Sequence, residues 1–216
     1  MTTTTNLLRA PRDCAAWVWW PDPDLRGLAD QYALAARITA ITDRLDLMRP
    51  NLVTSEWVLD GRIVPQAGSS IEGDGALDSP EFAAALASSR PKALPEAAVP
   101  GKAEITGPGR WIDAAGGTRA ENGLLRLTVD LVGPMSSVGL EVFHDIWMPY
   151  DFTGKPHPEV YRYNAPRLAR ALADISALMG SEAEPDEPTY FGAAVADGVE
   201  NSTDDDGEPL DVTDLM

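Results

Sequence analysis

"LLRLTVDLVGPMSSVGLEVFHDIWMPYD", residues 124–151, is the stretch that decides the fold predicted for this chain. Apolar and polar side chains alternate from Leu125 to Leu131, which is the period of a strand with one buried face. A loop of Gly, Pro and Ser follows, and a second alternation then runs through residues 139–151. Two alternating runs joined by a short loop predict an antiparallel pair of strands.

The second strand of this pair carries aromatic and acidic side chains on the face that is predicted to point outward. Its members are Glu141, Phe143, Asp145 and Trp147, and the chain continues into Tyr150 and Asp151. Aromatic residues supply desolvated contact area and carboxylates attract basic groups, so this face predicts an anchor surface for a basic partner. The open alternative places Phe143 and Trp147 in the core and pairs Glu141 with Arg126 across the strands.

Upstream of the strand pair, apolar residues recur at three- and four-residue steps from Leu25 to Met48 and predict an amphipathic helix that Asp22 or Asp24 opens. A second amphipathic helix is predicted over residues 165–179, with Asn164 as its N-cap and Gly180 at its end. The segment "CAAWVWW", residues 14–20, predicts a buried strand. Asp60-Gly61 lies between apolar triplets and predicts a two-residue hairpin.

Residues 65–103 change in composition to Ala, Gly, Ser and Pro, with one short helix signal at Ser79-Pro80. We interpret them as a surface insertion rather than a second domain. The sequence therefore predicts a single α+β domain over residues 1–216. Its largely antiparallel sheet carries two amphipathic helices packed on one face, together with this Ala/Pro-rich excursion.

Charge is concentrated at the C-terminal end of the chain. Of 34 acidic residues, 12 lie in residues 181–216, which contain no Lys or Arg, so the other 180 residues hold 22 acids against 17 bases. Such a field repels nucleic acid and anionic membranes and attracts a cationic protein. Asp204, Asp205 and Asp206 form its densest run and are candidate partner contacts; a merely solvated acidic end is the alternative. The apolar residues in 189–199 predict that part of this end docks on the body.

Several kinds of catalytic and metal site lack their motifs. A calcium loop centred on Gly207 has Ser202 and Thr213 at its first and twelfth positions, so the bidentate Glu is missing. There is one cysteine, there are two histidines, and no G-x-S-x-G or phosphate-binding glycine pattern occurs in its required context. We predict no catalytic residues, no metal and no cofactor. With no signal-peptide pattern at the N-terminus, we expect a cytoplasmic location.

Residues 144–175, "HDIWMPYDFTGKPHPEVYRYNAPRLARALADI", and residues 188–212, "PTYFGAAVADGVENSTDDDGEPLDV", resemble a group of actinobacterial proteins without an assigned function. The order of aromatic strand, long helix, hairpin and late strand pair is similar to that of small immunity proteins that neutralise bacterial polymorphic toxins. This second resemblance implies an inhibitor that covers a toxin's active site, transfers no catalytic residues, and offers no role for residues 65–103.

Three functions remain open at this point. The leading one is a non-enzymatic acidic binding protein, an immunity factor whose basic toxin partner contacts residues 141–151 and the acidic end. The alternative is an accessory enzyme or small-molecule-binding protein of bacterial biosynthesis with a site near His144. The third is a structural subunit that uses the Trp-rich N-terminal strand as an oligomer edge. The sequence leaves the oligomeric state open.

Overall fold

A computed structural model describes residues 7–21, 27–130 and 136–216 of the chain. The described residues form an α+β fold with a seven-stranded antiparallel sheet and two smaller two-stranded sheets. The helices are α1 (Leu28–Arg44), α2 (Pro80–Ser88) and α3 (Pro158–Met179). The strands are β1 (Ala15–Trp19), β2 (Leu52–Leu59), β3 (Arg62–Glu72), β4 (Val99–Thr106), β5 (Pro108–Ile112), β6 (Thr118–Asn122), β7 (Leu125–Asp130), β8 (Ser137–Val142), β9 (Glu184–Pro185), β10 (Ala193–Val195) and β11 (Gly198–Glu200).

The large sheet has the order β3-β2-β4-β7-β8-β1-β9, so the predicted strand pair lies near its middle. Leu127 of β7 is opposite Leu140 of β8, and both side chains are fully buried. This confirms the antiparallel pair; the Leu131 end of the first alternation lies outside the described residues. The Trp-rich strand β1 is paired on both sides, with β8 and β9, and is therefore not an open sheet edge.

The second alternation does not continue as a strand to residue 151, and that prediction is wrong beyond Val142. Residues Asp145–Trp147 form one turn of 3₁₀ helix instead, with the Met148 N–H donating to the Asp145 carbonyl over 3.0 Å. All residues from 142 to 148 are buried. Where every side chain is buried, alternation no longer distinguishes an inner from an outer face, so the two-residue period does not predict a strand here.

Helix α1 confirms the first predicted helix, with Tyr32, Ala35 and Ile38 on its buried face. The residues predicted to open it, Asp22 and Asp24, lie outside the described residues. Helices α1 and α3 contact each other and pack on the same side of the sheet, as predicted. No helix within the described ranges has both the length and the apolar character needed to cross a membrane.

Helix α3 begins at Pro158, so the prediction that Asn164 caps it is wrong. Proline is favoured at the first turn of a helix, so Pro158 is the start signal that the sequence carries. Asn164 lies inside the helix with no exposed surface, and its side-chain amide donates to the Ile112 carbonyl and accepts from the Ile112 N–H, over 2.8 and 2.9 Å. This buried amide ties α3 to β5. The left-handed Gly180, with φ of 69°, ends the helix as predicted.

The excursion over residues 65–103 is more regular than its composition indicates. It contains most of edge strand β3, helix α2 and the first half of β4, which lies inside the sheet between β2 and β7. The Asp60-Gly61 hairpin is confirmed, with φ of 52° and 74° at the two turn residues. Ser79 caps α2 as predicted, because its hydroxyl accepts the Phe82 N–H over 3.1 Å. This cap stabilises the N-terminus of α2.

Candidate functional site

The acidic C-terminal region, residues 181–216, is attached to the body of the protein. The Trp17 indole donates to the Val195 carbonyl over 2.7 Å, and the Val212 N–H donates to the Phe152 carbonyl over 2.9 Å. The Asn201 amide exchanges two hydrogen bonds with the backbone of Tyr150. The prediction that part of this end docks on the body is confirmed.

The run from Asp204 to Asp206 forms a structured turn. One carboxylate oxygen of Asp204 accepts the N–H groups of Asp206 and Glu208, each over 2.9 Å, while Gly207 adopts a φ of 83° that favours glycine. The side chains of Asp205 and Asp206 are exposed and make no hydrogen bond in the described part of the chain. One of the three aspartates therefore shapes the turn, and the other two present charge.

The same turn occurs twice more in the described residues, and we call it the D-x-x-G turn. In residues 113–116 and 151–154, as in residues 204–207, an aspartate oxygen accepts the N–H four residues later and the glycine has a positive φ. The turn of residues 151–154 lies directly against the acidic C-terminal region, because Thr153 forms a backbone bridge with Asp211. Hydrogen bonds from Thr213, helped by the nearby Lys155, hold the pKa of Asp211 below its usual range.

All twelve carboxylates of the acidic C-terminal region are exposed, and within the described residues none forms an ion pair with Lys or Arg. Two aromatic side chains stand among them. Tyr190 is 72% exposed, and Trp20, 45% exposed, donates its indole N–H to Glu184 over 3.0 Å. The prediction of a buried strand over residues 14–20 is wrong at Trp20, because β1 ends at Trp19. Sequence reasoning missed Tyr190, for which the phrase "DEPTYFG", residues 186–192, was the available signal.

The outward aromatic and acidic face that was predicted on the second strand does not exist. Asp145 and Trp147 are only 2% and 0% exposed, so neither lies on the surface. Glu141 accepts hydrogen bonds from Arg126 and from the Thr128 hydroxyl, the latter over 3.0 Å, as the alternative interpretation predicted. Tyr150 and Asp151 are half-buried and lie beside the acidic C-terminal region. Glu141 lies on the sheet, whereas Asp145 and Trp147 are buried in the core.

Asp145 is buried close to backbone N–H groups. Burial raises its pKa to about 7, although the nearby backbone N–H groups of Phe152 and Leu8 oppose the rise. Burial, together with the nearby Arg9, lowers the pKa of the adjacent His144 to about 4. Within the ranges that the structure describes, the imidazole Nδ1 of His144 and the indole N–H of Trp147 have no hydrogen-bond partner. His144 lines none of the three cavities that border Leu77.

Three cavities, of about 550, 430 and 180 Å³, lie around Leu77, which lines each of them. The one of about 550 Å³ lies between α1, α2 and the strands β2 and β4, with mainly apolar walls that include Trp57 and Phe82. Two polar groups that line it lack a hydrogen bond of normal length within the described residues: one Arg90 guanidinium nitrogen, and the Tyr32 hydroxyl, which lies near the Ser55 hydroxyl.

Comparison with known proteins adds no relative: no family model, no curated protein sequence and no solved structure matches this chain. The resemblance to immunity proteins therefore stays a prediction. In residues 7–21, 27–130 and 136–216, no group of three or more His, Cys, Asp and Glu side chains is arranged to hold a metal ion.

Proposed function

We propose that this protein is a non-enzymatic binding protein that holds a basic protein partner on its acidic C-terminal region. One observation carries the proposal: twelve carboxylates are fixed on an ordered, docked segment and none has a basic side chain as counter-ion in the described residues. Surfaces of one sign accelerate the encounter with a partner of opposite sign and select against partners of like sign.

The docking of the region supports a binding surface over a free solvated tail. Hydrogen bonds from Trp17, Val212 and Asn201 fix the backbone that carries the charges. A partner therefore meets carboxylates on a backbone that is already ordered, and association loses less backbone conformational freedom than it would with a flexible tail. The exposed Tyr190 and Trp20 supply the aromatic contact area that binding sites commonly use.

The partner class that this surface favours is a cationic bacterial toxin, such as a nuclease whose own site must attract phosphate. The protein would then act as an immunity factor in the cytoplasm, covering the toxin's site with charge of the sign that its substrate carries. The same charge disfavours nucleic acid and anionic membranes as direct partners. A small-molecule site near His144 is not proposed, because none of the three cavities adjoins that side chain.

The test begins with capture of a partner from the native host, followed by titration of the purified pair at about 50 mM and about 500 mM salt. The triple variant Asp205→Asn, Asp206→Asn, Glu208→Gln leaves the Asp204 turn intact, and we expect it to weaken binding by about tenfold. The control variant Asp43→Asn, Glu72→Gln, Asp74→Asn removes the same charge from exposed positions outside the acidic C-terminal region and should bind like the parent.

An immunity factor must also restore growth to cells that express the captured protein. A partner that is not basic, affinity that is equal at the two salt concentrations, or equal loss in both triple variants would contradict the proposal. Salt-dependent binding of a basic protein without any rescue of growth would keep the binding function and remove the immunity role.

A further inference from the structure

The cavity of about 550 Å³ beside helix α2 has the composition of a ligand site rather than of a packing fault. Its walls come from α1, α2 and the strands β2 and β4, and include the ring pair of Tyr32 and Phe82, whose centroids are 4.9 Å apart. Its volume lies within the range of about 300–1,000 Å³ that is usual for small-molecule pockets. An apolar lining with a few polar groups is also the usual composition of such pockets.

The polar end of the one indole in the wall is already satisfied. Trp57 donates its indole N–H to the Ser69 hydroxyl over 2.9 Å, and Ser69 in turn lies 3.0 Å from the Ser89 hydroxyl. Trp57 therefore presents only its apolar ring surface to the cavity. The body of any ligand must be apolar to match this wall and its neighbours Phe82 and Leu86.

The guanidinium of Arg90 determines which polar group the ligand must carry at the end opposite its apolar body. One of its guanidinium nitrogens is buried without a partner, and Arg90 forms no ion pair within the described residues. Asp78 and Glu96 also line the cavity, but both are exposed to water, which screens their charge. A guanidinium donates only, and its planar fork matches a carboxylate, so the missing group is an anionic acceptor.

We propose that this cavity binds a small apolar monocarboxylate, an aliphatic or aromatic acid, with the carboxylate on Arg90 and the apolar body against Trp57 and Phe82. The Tyr32 hydroxyl, which lines the same cavity next to the Ser55 hydroxyl, donates a hydrogen bond to the ligand. This site is independent of the acidic C-terminal region, so the failure of either proposal leaves the other standing.

Isothermal titration with decanoate and with 1-decanol tests the proposal, because the two probes share the apolar chain and differ in charge. We expect one molecule of decanoate to bind per chain, at least about tenfold more tightly than the alcohol, since charge-assisted pairs with arginine are strong. Arg90→Gln should reduce decanoate affinity to that of 1-decanol and leave the alcohol unchanged. Arg110→Gln removes an exposed arginine that does not line the cavity and should bind like the parent.

Leu86→Trp fills the cavity and should abolish binding of both probes, while circular dichroism and thermal unfolding show that each variant still folds. No decanoate binding by the folded parent protein would overturn the proposal. So would equal affinity for the two probes, or decanoate affinity that Arg90→Gln leaves unchanged. A Leu86→Trp variant that fails to fold does not affect the test, because the Arg90 and Arg110 variants decide it.

Discussion

The turn at Asp145–Trp147 and the cavity beside helix α2 both bury polar groups, but their surroundings differ. At the turn, His144 Nδ1 and the Trp147 indole N–H have no hydrogen-bond partner in the described residues, and none of the three cavities adjoins them. In the cavity, one Arg90 guanidinium nitrogen and the Tyr32 hydroxyl border empty volume. A ligand can reach an unpartnered polar group that borders a cavity, whereas it cannot reach one in a packed turn.

Removal of the Asp145 carboxyl should give the largest change in the free energy of unfolding. In Asp145→Ala the backbone N–H of the buried Phe152 loses its nearby carboxyl acceptor, and an unsatisfied buried group costs about 1–3 kcal/mol, so we expect the free energy of unfolding to fall by about 1–3 kcal/mol. Urea denaturation measures it. Asp205→Ala, at an exposed position, should stay within about 0.5 kcal/mol of the parent. A loss below about 1 kcal/mol in Asp145→Ala would show that the carboxyl is not structural.

The pH dependence of stability should separate Asp145 from His144. The pKa of Asp145 rises from 3.8 to about 7 on folding, so the folded state holds a proton that the unfolded state has lost, and this contribution falls as pH rises from about 4 to 7. The pKa of His144 falls from 6.5 to about 4, so its contribution rises with pH across about 4 to 6.5. The two slopes oppose each other in the native protein.

Single variants should expose each slope, by up to about 1.4 kcal/mol per pH unit relative to the parent. Between pH 4 and 6.5, His144→Gln should become less stable as pH rises, and Asp145→Asn should become more stable. Chemical denaturation at four or more pH values measures both, and subtraction of the parent curve removes the contribution of His157. Slopes of the same sign in the two variants would refute the assignment.

Loss of the Tyr32 hydroxyl should give the smallest effect. Because the nearby Ser55 hydroxyl gives this hydroxyl no hydrogen bond of normal length, Tyr32→Phe should change the free energy of unfolding by less than about 1 kcal/mol. The matched control is Thr42→Val, whose hydroxyl lies 3.0 Å from the Met48 carbonyl and whose removal should cost about 1–2 kcal/mol. Equal losses in thermal or urea unfolding would mean that the Tyr32 hydroxyl is satisfied within the protein, and would weaken the case for a ligand.

The elements that could be predicted from sequence depend on neighbours along the chain. The β7–β8 pair, helix α1, the Asp60-Gly61 hairpin and the Ser79 cap each follow from a local period or a turn residue. Asn164 was misread because its partner, Ile112, lies 52 residues away, and a local pattern does not show such a contact. The surface expected around Trp147 failed for a related reason: the indole is buried by elements distant in sequence.

The candidate sites divide in the same way. Composition alone revealed the acidic C-terminal region, since charge density needs no tertiary contacts to be seen. The cavity could not be predicted, because it arises only where α2 packs across β2 and β4. The lone Arg90 in an Ala-rich stretch carried no signal until the fold placed it beside Tyr32 and Trp57.

The D-x-x-G turn of residues 204–207 separates the shape of its loop from the charge that the loop presents. Asp204 and Gly207 set the backbone, while the side chains of Asp205 and Asp206 point into water and contribute nothing to the turn. Mutations at these two positions can therefore accumulate without a folding penalty. Under the proposed binding function, partner contacts at these positions can change one residue at a time while the scaffold stays the same.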